Sequence, residues 1–356
     1  MKIFKKKFLK EDVLTAARRR FDLILERWDD AFVGFSGGKD SLVCLHLMRE
    51  AFARAGRKSP VKVFFCDEEL IPDAVINFVD SYRRLDWIDL AWFCFPLESN
   101  KFVLGKVDSY LQWDPDRKHV REIPPWSIRP APGRKGPFSQ YTMVEEMLHR
   151  CRGSVAHVVG LRADESLTRY TVNACKLHDN WIRLNEVRGI TNVNPIFDWT
   201  ENDIFKYLGE NKIPYCGIYD AQLYSKTPFR VSTPVHSGSA KRFDRWRKMD
   251  PDFHRRVTEV FPEMMLQERY YDEIKQDSGE PSIEALEAWA TANVPEALMG
   301  KALEIIQYAE RDLNNGWLTV ADWPKIWQKF TTGTWVKGDK LVQVRRPGGR
   351  SLERPG

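Results

Sequence analysis

Short, continuously apolar runs alternate with amphipathic stretches through the first half of the chain, the pattern of a parallel sheet whose strands are joined by crossover helices. Leu14, Ala17, Phe21, Leu25 and Trp28 recur at helical spacing, so a helix is predicted over Leu14–Trp28, feeding a strand at Ala31–Phe35. A helix over Leu42–Ala53, a strand at Val61–Cys66, a helix over Ala74–Arg84 behind Pro72 and a strand at Ile88–Phe95 follow. The third strand is apolar enough to be covered on both faces, as parallel strands are. The expected fold class is α/β, a doubly wound and mostly parallel sheet.

From Pro96 the rhythm stops. Pro115, Pro124, Pro125, Pro130 and Pro132 exclude helix and central strand, so residues 97–138 read as an insertion or lid. Helical spacing returns at Tyr141–Cys151 and an apolar strand at Ser154–Leu161, followed by Trp181–Leu184 and a turn-rich Asn192–Trp199 stretch where the sheet is expected to end. Thr200 has N-cap chemistry for a helix over Glu201–Glu210, with Asp203 at its third position and Gly209 and Pro214 closing it. Beyond Ser232 the spacing is mainly helical, as at Ile283–Ala290 and Pro295–Glu310, until a strand at Thr334–Val344 and a Gly-, Pro- and Arg-rich tail from Pro347. The implied division is an α/β domain over residues 1–230, a helical region over 231–330, and a short strand with a basic tail over 331–356.

Of 356 residues, 43% are apolar and 12% aromatic, which excludes wholesale disorder. No apolar run approaches the roughly 18 residues a membrane span needs. Lys2, Lys5, Lys6, Lys7 and Lys10 imitate the start of a signal peptide, but the polar stretch Glu11–Arg20 follows, so a cytoplasmic location is expected. The six cysteines include no CxxC pair for zinc or an iron–sulfur cluster and read as reduced and mostly buried. The formal net charge of +5 suits anionic ligands without specifying one.

The specific chemistry lies in Phe32–Met48, a buried strand, a tight turn and an apolar-faced helix. At its centre are Ser36, Gly37, Gly38, Lys39, Asp40 and Ser41. Two glycines let the backbone turn sharply and bring amides close to a ligand, and the helix that follows presents free N–H groups and the positive end of its dipole. Two hydroxyls and an ammonium complete a phosphate site. The spacing fits neither GxxxxGK[ST] nor GxGxxG.

This segment resembles the pyrophosphate loop of the ATP pyrophosphatases, SGGxDS after a first strand. Further stretches are similar to the phosphoadenylyl-sulfate reductase and sulfate adenylyltransferase branch. Val63–Glu69 supplies Phe65 and, at the strand's carboxyl end, Asp67, while Glu68 and Glu69 read as solvated loop charges. Val158–Ser166 resembles a GxRxDE element, in which Gly160 allows close approach and Arg162 can fork onto phosphate or sulfate. Asn194–Ile204 with Ile213, Pro214 and Tyr215 is similar to an architectural stretch in which Trp199 and Ile204 pack a helix against the sheet edge, and Tyr219–Asp220 continues it.

The resemblance implies an adenine nucleotide, ATP or an adenylyl sulfate, across the strand ends, with Ser36–Ser41, Phe65, Asp67, Gly160 and Arg162 around it. Chemistry at the α-phosphorus would be stabilised by Lys39 and Arg162, with Mg2+ held by Asp40 and Asp67, or with Asp40 instead capping the helix. The reductases carry a cysteine in a C-terminal ECG[LI]H motif. Here no cysteine follows Cys216, whose surroundings lack that motif, so adenylyl transfer rather than thiol-dependent reduction is expected. The insertion and helical C-terminus look like a phage and prophage branch that includes the immunoglobulin-binding regulators, whose usual companion is a ParB-like partner protein. That leaves a nucleotide-gated regulator or nucleic-acid-modification component as the alternative. Arg117, Lys118, Arg121, Arg129, Arg134 and Lys135, and the cluster from Lys241 to Arg256, are the candidates for nucleic-acid contact, with solvated surface the commoner role of such residues.

Overall fold

The computed structural model describes residues 9–104, 106–134, 136–165, 169, 180–185, 187–227, 229–276, 282–314, 326, 327 and 330. The strand expected at Thr334–Val344, the tail and Cys175 lie outside these residues.

Helix α1 (Val13–Arg27) starts where the Asp12 carboxylate accepts the Leu14 and Thr15 amides. Strand β1 (Asp30–Gly34) leads through the glycine turn into α2 (Lys39–Arg54), then β2 (Val61–Cys66), α3 (Asp73–Arg83) and β3 (Ile88–Phe93). After α4 (Gln140–Glu146) the chain returns as β6 (Val155–Val158), with β7 (Ile182–Leu184) and β8 (Ile190–Val193) following. The six-stranded sheet has the order β3-β2-β1-β6-β8-β7, all parallel except β7, which runs antiparallel to β8 at the edge. The chain winds outward from β1 through β2 to β3 and then continues on the other side of β1. The carboxyl ends of β1 and β6 therefore flank a topological switch point, where open α/β sheets place their ligands.

Period-2 alternation sends Val33, Val63 and Val158 to the face covered by α1 and α2, and Phe32, Phe64 and Phe93 to the face covered by α4. Helix α5 (Glu201–Glu210) has the expected capping box: the Thr200 hydroxyl accepts the Asp203 amide, and Asp203 accepts the Thr200 amide. Trp199 and Ile204 are buried, but they seat α5 on α2 and α1 rather than on the sheet edge; the Trp199 indole donates to the Val13 carbonyl at 3.0 Å.

The sheet's last strand, β8, ends at Val193, within the stretch expected to close the sheet. Strand β8 was hidden in the sequence because Thr191 and Asn192 interrupt its apolar character, yet Ile190 and Val193 are buried beside β6. The insertion carries a hairpin, β4 (Glu98–Val103) with β5 (Lys106–Leu111), since its named prolines all fall after Leu111. The helix expected to Cys151 tightens after α4 into a 3-10 turn at Met147–Arg150. The strand expected to Leu161 ends at Val158, which leaves Gly160 and Arg162 on a loop.

The chain divides into two compact units, residues 1–271 and 272–356. The first extends past the boundary expected at 231, because helices α6 (Ile218–Tyr224), α7 (Pro251–Val260) and the start of α8 (Glu263–Gln276) share its core through Tyr219, Phe253, Val257 and Met264. In the second, α9 (Ile283–Asn293) and α10 (Glu296–Asn314) bury Leu286, Ala290, Ala302 and Ile306 against Phe330.

Candidate functional site

The glycine turn is shaped by its neighbours. Gly37 has φ +75°, and a Cβ there would lie 2.9 Å from both Val75 and Val79 of α3. Gly38 caps α2 without offering a side-chain oxygen and Asp40 makes no cap, so the helix start carries no cap from its own N-cap residue where it meets the cleft. The Ser41 hydroxyl donates to the Gly38 carbonyl at 2.9 Å and accepts the Ser36 amide at 3.3 Å, which closes the loop on itself. The Lys39 amide donates to the Tyr219 hydroxyl at 2.9 Å, tying the loop to α6.

Opposite stands the loop after β6. A Cβ on Gly160 would sit 2.7 Å from the Ser41 nitrogen and 2.8 Å from the Asp40 carbonyl carbon, so only glycine lets the two loops touch. Arg162 is 3% exposed, with Nε on Asp40 and Nη1 on Asp164. Lys39 is 4% exposed; its Nζ is 3.1 Å from Asp40 and 3.4 Å from Glu201. A cleft of about 1200 Å³ opens over these groups, lined also by Phe65, Cys66, Glu68, His157, Arg169, Tyr219 and Arg230.

Of the ten residues expected around the nucleotide, eight line this one cleft, Ser36, Gly38, Lys39, Asp40, Ser41, Phe65, Gly160 and Arg162; Gly37 shapes the turn from behind. Asp67 does not join them. It is fully buried, accepts the Trp92 indole at 2.8 Å and the Glu69 amide at 3.0 Å, and is ion-paired to Arg121 of the insertion, so its carboxylate is already partnered away from the cleft lining. Glu68 and Glu69 are not solvated loop charges either. Glu69 is fully buried and receives Arg117 on both oxygens along with the Trp113 and Val120 amides. Glu68 lines the cleft with Oε2 buried and unpartnered, and burial holds its carboxyl above the ordinary carboxylate range.

His157 was not anticipated, although a lone polar residue inside an apolar strand was its signal. Its ring stacks on Phe32 at 4.5 Å and Nδ1 lies 3.0 Å from Asn192 Oδ1. Burial lowers its pKa to about 4, so it is neutral near pH 7. Tyr219, Glu201, Arg169 and Arg230 reach the cleft through tertiary folding alone.

Burial disfavours the thiolate at the described cysteines. Cys216 is buried with Sγ 3.6 Å from the Ala74 carbonyl, and burial raises the thiol pKa of both Cys216 and Cys66. Among the described residues no group of three or more His, Cys, Asp or Glu side chains is arranged to hold a metal ion. Many of the basic residues considered for nucleic acid are already paired: Arg117 and Arg121 as above, Lys118 and Arg255 with Glu259, Arg134 with Glu146, Arg247 with Glu268 and Arg256 with Asp73.

The phosphoadenosine phosphosulfate reductase domain model matches residues 30–94 and 126–264, more than half of the chain. The chain belongs to that family. It is 28% identical over 235 residues to the Escherichia coli (strain K12) protein named "Uncharacterized protein YbdN", covering 62% of this chain and 57% of that one. It is 31% identical over 124 residues to the adenosine 5'-phosphosulfate reductase of Neisseria meningitidis serogroup A, covering 32% of this chain and 48% of the relative. The chain thus spans about half the length of these curated relatives. Among solved structures, the phosphate complex of phosphoadenylyl-sulfate reductase from Candida auris aligns with 13% identity and a TM-score of 0.35, over 61% of this chain and 94% of that chain. The family's matched segments contain both loops that build the cleft, and the unmatched segment between them is most of the proline-rich insertion.

Proposed function

We propose that this cleft binds the phosphate chain of an adenine nucleotide, ATP or an adenylyl sulfate, and catalyses attack at the α-phosphorus with release of pyrophosphate when ATP is the substrate. The observation that carries this is the convergence of the α2 N-terminus, Lys39 and Arg162 on one cleft at the switch point between β1 and β6. Lys39 supplies a point charge and Arg162 a fork already oriented by Asp40 and Asp164, so little reorganisation is needed as charge develops on the phosphate. Asp40 lines the cleft with Lys39 on one oxygen and Arg162 on the other, so it would hold a hydrated magnesium ion, and the charge neutralisation that ion supplies, only in exchange for one of those cations as the nucleotide takes it over. Among the described cysteines, Cys216 is packed under α3 away from the cleft lining and Cys66 is held as the thiol, which disfavours thiol-dependent reduction at either.

The test is pyrophosphate release and nucleotide affinity for the full chain with magnesium and candidate acceptors. Lys39→Ala with Asp40→Ala is expected to lower ATP affinity by at least about tenfold, given the loss of a buried charge contact. Equal affinity in wild type and variant would overturn the assignment. A second reading, a nucleotide-gated regulator acting with a ParB-like partner, is favoured by the insertion and by residues 265–356, which lie outside the family match and could carry an interaction surface. It requires binding without turnover.

A further inference from the structure

In the cleft proposed for a phosphate chain, carboxylates already stand against the two buried cations, Lys39 and Arg162. Arg162 spends all of its guanidinium on carboxylates: Nε on Asp40, Nη1 on Asp164 and Nη2 4.0 Å from Glu201. Lys39 Nζ lies between Asp40 at 3.1 Å and Glu201 at 3.4 Å. Lys39 and Arg162 together face three carboxylates, so although Arg169 and Arg230 also line the cleft, an incoming polyphosphate reaches these two buried cations only where a carboxylate yields.

The three are not equally held. Asp40 sits in the first turn of α2 with a cation on each oxygen, and its side chain is only 17% exposed. Asp164 is in direct contact with Arg162 from two residues away. Glu201 reaches both cations from the far wall at the longest distances, and its side chain is 46% exposed. Its backbone is fixed, because it is the first residue of α5 behind the Thr200–Asp203 capping box, so the side chain alone can turn toward solvent. Such a turn would leave Lys39 Nζ and Arg162 Nη2 open together beside the α2 N-terminus.

We infer that Glu201 is an exchangeable counterion: in the empty cleft its carboxylate holds the place of a phosphate group on Lys39 and Arg162, and the polyphosphate of the substrate displaces it. This deepens the proposed function and rests on it. Glu201 is then a specificity-determining residue, because a ligand must offer enough charge to both cations at once to replace the carboxylate, which favours a diphosphate or triphosphate chain over a single sulfate or phosphate group.

The experiment is calorimetric titration of the full chain with inorganic pyrophosphate, first without divalent cations and then with magnesium. Glu201→Gln is expected to bind pyrophosphate roughly three- to tenfold more tightly than wild type without divalent cations, the effect of removing one half-exposed competing charge. Glu201→Asp, which keeps the charge but withdraws it, should fall between. Glu210→Gln, at the other end of the same helix, should match wild type, and melting curves establish that each variant is folded. Affinity in Glu201→Gln equal to or weaker than wild type overturns the inference, as does a loss seen only with magnesium, which would make Glu201 a metal-assisting group. Lys39→Ala separates the two levels: wild-type binding that is lost in Lys39→Ala, with Glu201→Gln unchanged, removes the counterion and keeps the phosphate cleft. If neither wild type nor Glu201→Gln binds pyrophosphate or ATP, both fall.

Discussion

Gly160 shows how one absent side chain can set a site. The backbone atoms that a Cβ would strike, Ser41 N and Asp40 C, belong to the first turn of α2 and cannot swing aside as a flexible side chain could. Gly160→Ala must therefore separate the two loops, moving Arg162 away from Asp40. The expected result is a loss of about 1–3 kcal/mol in stability and at least tenfold in nucleotide affinity, read from urea unfolding and calorimetry. Gly209 is the counter-case: it lies within α5 with nothing within 4 Å of a built Cβ, so Gly209→Ala should raise stability by about 0.5–1 kcal/mol and leave binding unchanged. At this scale the sequence was informative where residue type is tied to backbone geometry, as for Gly37, Gly38, Lys39 and Arg162. In it Tyr219 read as architectural and Glu201 as a helix start, with no sign that tertiary folding brings both onto Lys39.

Between elements, the β2 end and the insertion are joined by buried ion pairs, Asp67 with Arg121 and Glu69 with Arg117, with the Arg121 guanidinium also over the Trp113 ring at 4.8 Å. Acidic residues at a strand end suggest a ligand or solvent when only sequence is in view; arginines some fifty residues later supply the partners instead, and no local pattern announces that pairing. The same blindness hid β8, whose polar middle residue Asn192 is explained by His157 on the neighbouring strand. Sheet class, the first three strands and α5 were legible because their periodicity is local. Asp67→Asn decides between the two roles of that carboxylate. Breaking a buried pair leaves Arg121 uncompensated and should cost on the order of 3 kcal/mol, while the magnesium dependence of nucleotide binding stays as in wild type. A folded Asp67→Asn protein with altered magnesium dependence would return Asp67 to the site.

Across the whole molecule, burial lowers the pKa of His46, His157 and His236, and the larger shifts at His46 and His157 give the protein a sensitivity to acid. His46 of α2 packs against Tyr82 and Trp87, with Nε2 3.0 Å from the Tyr82 hydroxyl, and burial followed by the nearby Arg49 charge lowers its pKa to about 4. His157, beside Phe32 and Asn192, is lowered to about 4 by burial, with the Arg183 charge adding to it. An unfolded chain titrates these rings near 6.5, so below that pH the unfolded state takes up protons that the folded state refuses. Their contribution to stability is therefore complete above about pH 6.5 and is lost as the pH falls toward 4, up to roughly 3 kcal/mol for each ring. Urea unfolding midpoints of the full chain should fall steadily from pH 7 to pH 4.5. In His46→Gln, which keeps a polar partner for Tyr82 but does not titrate, the fall should shrink but persist, because His157 and His236 remain. An unchanged slope in that variant would mean that His46 is protonated in the folded protein and that the α2 face opposite the cleft is wetter than its packing implies.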